Sequence, residues 1–426
     1  MIKIAFQSCK QAISSVINNR LLLGISMGHA VTHWYPVSFF MILPFIQHSL
    51  DLSYTEVGFI ISIKYIVSAL SNIPGGMIVD IIGKRHKLMA VALAWVGLPY
   101  FLMGFFGSYG VVLFCAALVG IGNNLWHPAA ISELTNQFST RKGWAIGIHS
   151  LAANIGDAIA PIFVGFLLLS VAWEQVVMIN LLPGLLSAFI IWRLLNLSGS
   201  DQLESRADTV NEESDNEGLA IEEYLKGLGE MVRNPRLLAI VIISGVRSLT
   251  QNTLRMFLPL YFVNIHLMSS LIVGTYIGLM EFAGAVAAPI SGHYSDKKGR
   301  KIIVVLGMIC TALAIIFFLL IKSTWLIGIS LFAVGFFLYS LRPVLFAWAL
   351  EQVSDKFGGT TVGMMFGLQS FLSSMAPLLG GWIADKWGIK FAFYVIVIIL
   401  IISSILTLLY SKEGSANTSK SVGNIT

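Results

Sequence analysis

Apolar positions in this chain gather in blocks of roughly twenty residues, divided by short polar loops and one long polar stretch. A helix needs about 20 apolar residues to cross ~30 Å of hydrocarbon. Twelve blocks have that length, at about 21–46, 56–79, 88–107, 110–134, 143–170, 175–195, 236–264, 270–295, 302–321, 324–350, 360–384 and 389–410. Lipid offers no partner to an unpaired backbone group, so the pattern predicts helices throughout.

The twelve blocks repeat as two sixes. Gly76-Met77-Ile78-Val79-Asp80-Ile81-Ile82-Gly83-Lys84 returns 216 residues later as Gly292-His293-Tyr294-Ser295-Asp296-Lys297-Lys298-Gly299-Arg300. Pro44 and Pro259, Gly58 and Gly274, His127-Pro128 and Arg342-Pro343, Pro161 and Pro377, and Gly165 and Gly381 follow at offsets of 215 or 216. The expected architecture is an all-α membrane protein of twelve transmembrane helices in two six-helix bundles, related by a parallel pseudo-two-fold repeat. Such repeats place a binding site at their interface near the bilayer midplane. The bundles are expected at 21–197 and 236–410. Between them, 198–235 is an acidic linker: residues 198–232 hold ten acids against two basic residues. Its first part has the composition of a disordered segment, and Leu219, Leu225, Leu228 and Val232 are spaced like one face of a surface helix. Residues 1–20 place Ile2, Phe6, Cys9, Ile13 and Val16 at helical spacing, the pattern of an amphipathic segment on the membrane surface. Residues 411–426 are a polar tail.

Composition sharpens this picture. The chain is 56% hydrophobic and 12% charged, where soluble domains carry about 25% charge. With both termini cytoplasmic, the inner side collects 20 of the 27 basic residues, a positive-inside asymmetry. The net charge of +5 therefore reports topology, and no nucleic-acid partner is expected. Cys9, Cys115 and Cys310 are scattered and offer neither a disulfide framework nor a metal-spaced pair. No signal peptide is expected at the N-terminus. No Walker loop, catalytic triad or redox motif occurs, so neither an enzyme nor a cofactor is expected.

Ionisable residues inside the spans are costly, and they usually face a cavity or a partner. They are His29 and His33 in the first span, Lys64 in the second, His127 in the fourth, His149 and Asp157 in the fifth, Arg247 and Arg255 in the seventh, Glu281 in the eighth and Arg342 in the tenth. Arg247, Gln251 and Arg255 follow i, i+4, i+8 spacing on one helix face. Their guanidiniums can bind a carboxylate, phosphate or phosphonate in bidentate fashion, or pair with Asp157 and Glu281 and stitch the halves together. Asp157 and Glu281 are candidate proton carriers. His29 and His33 sit one turn apart, a spacing that can chelate a metal. No Cys or acid of the same helix completes a site, so no metal is assigned. His29 is a candidate for proton relay and His33 for substrate contact.

The repeated Gly-x3-Asp-x2-Gly-basic-basic loop, with twelve spans around it, resembles the signature of the major facilitator superfamily over essentially the whole chain. Ile81 departs from the pattern where a basic residue is common. The resemblance implies that this loop is a conformational latch, which makes Gly76, Asp80, Gly83, Gly292, Asp296, Gly299 and Arg300 gating candidates. It also implies that spans 3, 6, 9 and 12, which hold no charge in their interiors, are peripheral. Gly120-Ile121-Gly122-Asn123-Asn124-Leu125-Trp126-His127-Pro128, with His29, Asn154-Ile155-Gly156 and Ala160-Pro161, is similar to the fosmidomycin-resistance branch of that superfamily. Ala160-Pro161 with Gly165, and Ala376-Pro377-Leu378-Leu379-Gly380-Gly381, resemble the Gly-Pro-x2-Gly-Gly motif of its proton antiporters.

The expected protein is thus an inner-membrane secondary transporter of a prokaryote, monomeric, embedded in lipid and working by alternating access. It would exchange protons for a small anionic or amphiphilic solute, outward as in drug efflux. Substrate contacts are expected at Arg247, Arg342, His33, His127, Gln251 and Asn123, and proton coupling at Asp157, Glu281 and His29. Uptake of an organic anion by proton symport, export of a metal or metal chelate, and a membrane sensor on the same scaffold are the alternatives.

Overall fold

The computed structural model describes residues 19–82, 84–196, 229–354 and 357–410. Nearly all of the expected amphipathic segment, most of the linker and the polar tail lie outside the described residues. The first half is α1 (Arg20–Ser49), α2 (Tyr54–Ile82), α3 (Arg85–Phe106), α4 (Tyr109–Gln137), α5 (Lys142–Leu167), α6 (Trp173–Ile179) and α7 (Leu181–Asn196). The second is α8 (Pro235–Asn264), α9 (Ser270–Lys298), α10 (Arg300–Leu320), α11 (Thr324–Tyr339), α12 (Leu341–Leu350), α13 (Gly358–Trp387) and α14 (Ile389–Tyr410). The described residues contain no strand.

Both halves start the same way. Asn19 caps α1 by accepting the Leu22 N–H at 2.9 Å, and Asn234 caps α8 by accepting those of Arg236 and Leu237 at 3.0 and 3.3 Å. A short polar side chain at this position satisfies amides that have no partner inside the helix.

Two of the expected continuous spans are broken. The sixth divides at Asn180 into α6 and α7, and the tenth divides at Ser340 into α11 and α12. Proline explains both positions. Pro183 and Pro343 have no N–H to give the carbonyls four residues earlier, Ile179 and Tyr339, and the two helices end at those residues. The Asn180 break is pinned from α1: Trp34 Nε1 donates to its Oδ1 at 2.7 Å and Tyr35 Oη donates to its carbonyl at 2.8 Å.

Among the described residues, ten helical stretches are long and apolar enough to cross a membrane; they comprise α3 to α14, with each broken pair taken as one. Reaching twelve requires α1 and α2 to cross as well, and at 30 and 29 residues both are long enough. In α1, polar residues such as His29, Thr32, His33 and Gln47 dilute the apolar character. Helices α3, α7, α10 and α14 pack within their own bundles, while α2 meets α13 and α5 meets α9 across the two halves.

Those two interfaces are mates under the sequence repeat. A Cβ on Gly58 would collide with the carbonyl oxygen of Pro377, and one on Gly274 with that of Pro161. Only glycine permits this approach of backbone to backbone. The interfaces lie toward the face that carries the α1–α2, α8–α9 and α13–α14 turns, and here the halves are closed. There Ser270 Oγ donates to the Gly165 carbonyl at 2.7 Å, and Asn264 Nδ2 donates to Gln47 Oε1 at 2.7 Å. His48 and Asn264, repeat mates 216 residues apart, bond to each other at 3.1 Å. On the opposite, linker-side face, Gly143 and Gly147 in α5, Gly292 in α9, and Gly363 and Gly367 in α13 have no neighbour within 4 Å of a built Cβ. The halves therefore part toward the linker and leave a cavity between them.

Candidate functional site

Four histidines converge on the first-half wall of the cavity. Two close helix contacts bring them together. Gly28 on α1 leaves room for the Trp126 ring of α4, which sets His127 beside His29 and His33. Gly156 on α5 packs against the Ala30 carbonyl of α1, which sets Asp157 beside His33. His29 lies 4.7 Å from His33 and 5.2 Å from His127, ring centre to ring centre, and stacks on His149 at 3.7 Å. His29 Nδ1 is 2.8 Å from the His149 carbonyl, and His33 Nδ1 is 3.0 Å from Asp157 Oδ2. His29 and His149 are buried, whereas His127 is exposed.

From Asp157 the polar chain crosses to the second half. Arg255 Nη2 on α8 donates to the same Oδ2 at 3.2 Å, and its Nε and Nη2 donate to Glu281 Oε1 and Oε2 of α9, both at 2.7 Å. The guanidinium also sits 5.6 Å from the Tyr339 ring centre, beside the α11–α12 break. This bidentate pair is the strong form of an ion pair, and a buried one costs about 3–5 kcal/mol to break from one side.

Three further cations surround Arg255. Arg247 is buried, donating to the Leu338 carbonyl at 3.3 Å and to Gln251 Oε1. Arg342, which the α12 start turns toward the cavity, is exposed and lies 5.8 Å from the Phe366 ring centre. Lys64 on α2 is buried between the rings of Phe40 and Tyr65, at 5.5 and 5.1 Å. Neither Arg247, Arg342 nor Lys64 has a carboxylate partner among the described residues. Next to Lys64, Tyr65 Oη donates to Asn252 Oδ1 at 2.7 Å, and Asn252 Nδ2 donates to Ser373 Oγ at 2.7 Å, joining α2, α8 and α13.

The sequence-predicted residues thus separate into groups. His29, His33, His127, Asp157 and Glu281 are gathered around Arg255, and Arg247, Gln251 and Arg342 line the same region from the second half. Arg255 is the hub, although the expected substrate contacts were Arg247 and Arg342. Among the gating residues, Asp296 pairs with Arg300, and Arg300 Nη2 donates to Glu351 beyond α12 at 2.9 Å. In the first half Arg85 pairs with Glu133 at 3.9 Å, so the basic loops are tied to acids within their own bundles. Gly292 stands in open space, and Gly299 ends α9 with φ 92°, a conformation that favours glycine. The surroundings of Gly76, the side chains of Asp80 and Asn123, and residue Gly83 altogether lie outside the described positions.

Sequence reasoning missed Asp385. At the closed face its carboxylate accepts the N–H groups of Tyr54 and Thr55, both at 2.8 Å, and the Thr55 hydroxyl. One half thereby caps the first turn of a helix in the other.

An all-helical pair of bundles with charges gathered between them defines an integral membrane protein, and the family match and transporter relatives make it a transporter, not an enzyme. The sequence profile described as Major Facilitator Superfamily matches residues 23–377 and 242–424, and the chain belongs to that superfamily. Among its curated relatives is the hexuronate transporter of Bacillus subtilis (strain 168), 24% identical over 366 residues that cover 81% of this chain and 83% of the relative. The fosmidomycin resistance protein of Escherichia coli (strain K12) is 22% identical over 381 residues, 88% of each chain. The fosmidomycin branch is therefore not singled out by similarity. Among solved structures, a bacterial homologue of the human lysosomal transporter Spinster, inward-facing and occupied, matches with a TM-score of 0.75 at 16% identity over 91% of this chain and 95% of that one. That likeness concerns the fold.

Proposed function

We propose that this chain is a proton-coupled, alternating-access transporter of a small organic anion in the cytoplasmic membrane, with linker and termini in the cytoplasm and the cavity open to that side. One observation carries the reading. Among the described residues, Lys64, Arg247, Arg255 and Arg342 are four cations around a centre with two carboxylates, Asp157 and Glu281, so positive side chains exceed negative ones by two, and Lys64 and Arg247 are buried without a carboxylate partner. A buried charge without its counter-charge costs several kcal/mol, and an anionic solute supplies what the protein leaves out. A hexuronate is such an anion, and the hexuronate transporter is similar along most of its length.

The same geometry favours symport over the drug-efflux exchange expected from the sequence. Arg255 is occupied by Asp157 and Glu281. A proton on either carboxylate ends its hold on the guanidinium, whose freed N–H groups then face the solute. Proton and anion therefore bind together, and an inward proton gradient drives uptake. His33, hydrogen-bonded to Asp157, is placed to pass that proton on. Protein monomer, protons and surrounding lipid are the only components this cycle requires besides the solute.

Proteoliposomes with a pH-sensitive dye inside test the reading. Adding external uronates, phosphonates or simple carboxylates is expected to acidify the lumen for at least one solute, and Arg255→Gln is expected to abolish the signal. Luminal alkalinisation on anion entry would establish exchange and overturn symport. Transport confined to lipophilic cations would overturn the anion assignment.

A further inference from the structure

We propose that His29, His33 and His127 form a binding site for a divalent late first-row transition-metal ion of zinc, cobalt or nickel chemistry, open to the central cavity. One ring nitrogen from each lies within 4.8 Å of the other two. Metal–imidazole bonds of about 2.0–2.1 Å in tetrahedral array put ligand nitrogens about 3.4 Å apart. Modest side-chain rotation closes that gap, because His33 and His127 are not fully packed.

The surroundings of the rings match the requirements of ligation. A metal-bound histidine nearly always donates its other ring N–H to a carboxylate or a backbone carbonyl, which fixes the tautomer and aims the free nitrogen. Here His29 Nδ1 is committed to the His149 carbonyl and His33 Nδ1 to the Asp157 carboxylate, so Nε2 is the nitrogen each presents. The His149 ring stacked on His29 holds that plane in place. The backbones are set by the Gly28–Trp126 and Gly156–Ala30 contacts, so the three rings stand together before any ion arrives.

Three imidazoles without a thiolate select metals of zinc type over magnesium or calcium, which prefer oxygen ligands. Three protein ligands also leave coordination positions open, as in exchangeable sites and unlike closed structural ones. Exposed His127 supplies the way in from the cavity. The ion is thus cargo, arriving either as the hydrated cation or inside a complex with a carboxylate chelator. In the second case the chelator's anionic groups meet Arg255 and Arg342 on the facing wall. Metal binding at equilibrium does not depend on the anion-symport reading, and either can fail alone.

The test is a Co2+ titration of the tag-free full-length protein in detergent, followed by visible ligand-field absorption, with calorimetry of Zn2+ added alone and Zn2+ added with citrate. One equivalent of Co2+ is expected to develop intense bands, and His127→Ala and His33→Ala are expected to abolish them. Asp157→Asn, acting through His33, is expected to retain the bands and to weaken affinity by about 10–100-fold. Heat from Zn2+ alone identifies the free ion as ligand, and heat only with citrate identifies the complex; both support the triad when His127→Ala removes them. His127 lies on the cavity surface, so its variant is expected to keep the wild-type melting temperature and remains informative if His29→Ala misfolds. Absence of bands at saturating Co2+ together with absence of heat from Zn2+ with citrate, or signals unchanged in both alanine variants, would overturn the proposal.

Discussion

Replacing Asp385 by Ala is expected to open the closed face without unfolding the protein. The carboxylate belongs to α13, and the groups it accepts from, the Tyr54 and Thr55 amides and the Thr55 hydroxyl, belong to α2 in the other half. They are together only while this face is shut. The start of α2 also has its own cap, since Ser53 and Glu56 bond reciprocally, Ser53 N–H to Glu56 at 2.8 Å and Glu56 N–H to Ser53 Oγ at 3.2 Å. That box survives opening, so loss of Asp385 does not unravel the helix. A helix cap is worth ~1 kcal/mol and a negative charge at a helix start about 0.3–1 kcal/mol. The sum is ~1–2 kcal/mol, or about 5–30-fold in the ratio of closed to open molecules. Spin labels at Ser49 and Ser269, both exposed at this face, report that ratio by pulsed distance measurement once Cys9, Cys115 and Cys310 are replaced by Ala. Asp385→Ala is expected to move population to the longer distance, and Asp385→Asn, with one acceptor oxygen left, to fall between. An unchanged distribution in Asp385→Ala would refute the gating role. A lower melting temperature with no change in distances would mean that the contact supports folding instead.

Three further outcomes rest on other contacts. Gly274→Val sets a branched side chain against the Pro161 carbonyl, and the same label pair is expected to report mostly the open distance. Gly335→Ala drives a methyl into the Met280 carbonyl beside Glu281; overpacking of this kind costs about 1–3 kcal/mol, to be read as a lower melting temperature in detergent. At His266, in the α8–α9 turn, burial and then the neighbouring Lys390 charge hold the imidazole below the usual histidine range. The unfolded chain therefore takes up that proton first. Stability is expected to fall as pH drops below the ordinary histidine value of about 6.5, and His266→Gln is expected to flatten the dependence of melting temperature on pH.

Much of the architecture was legible because hydropathy and repeat spacing are properties of the chain itself. The pairing of Gly58 with Pro377 and of Gly274 with Pro161 was foreshadowed by their common offset, although nothing in that offset says that the mates touch crosswise. The breaks at Asn180 and Ser340 were concealed, because an uninterrupted apolar block looks the same whether or not a proline ends its helix midway. Asp157, Arg255 and Glu281 stood out as charges where charge is costly, and that signal located the hub. Which cation served as hub depended on the rotation of α8 against α5 and α9, which spacing along one helix does not contain. Convergence of His127 and His149 on His29 was invisible for a similar reason: it depends on how closely α4 and α5 approach α1. Asp385 gave no sign because its partners are backbone amides, and every residue but proline has one.

The glycine–carbonyl contacts at the closed face also bear on how fast the halves can exchange positions. Interlocked side chains must change rotamers before two helices separate, and each such change adds to the barrier. At Gly58 and Gly274 there is no side chain to disengage, only a Cα hydrogen leaving a carbonyl oxygen, a contact of about 0.5–1 kcal/mol. These two contacts work as a pair of smooth bearings on either side of the pseudo-axis. They give little directional grip, which leaves the polar latches at Asp385, Asn264 and Ser270 to set how long the face stays shut.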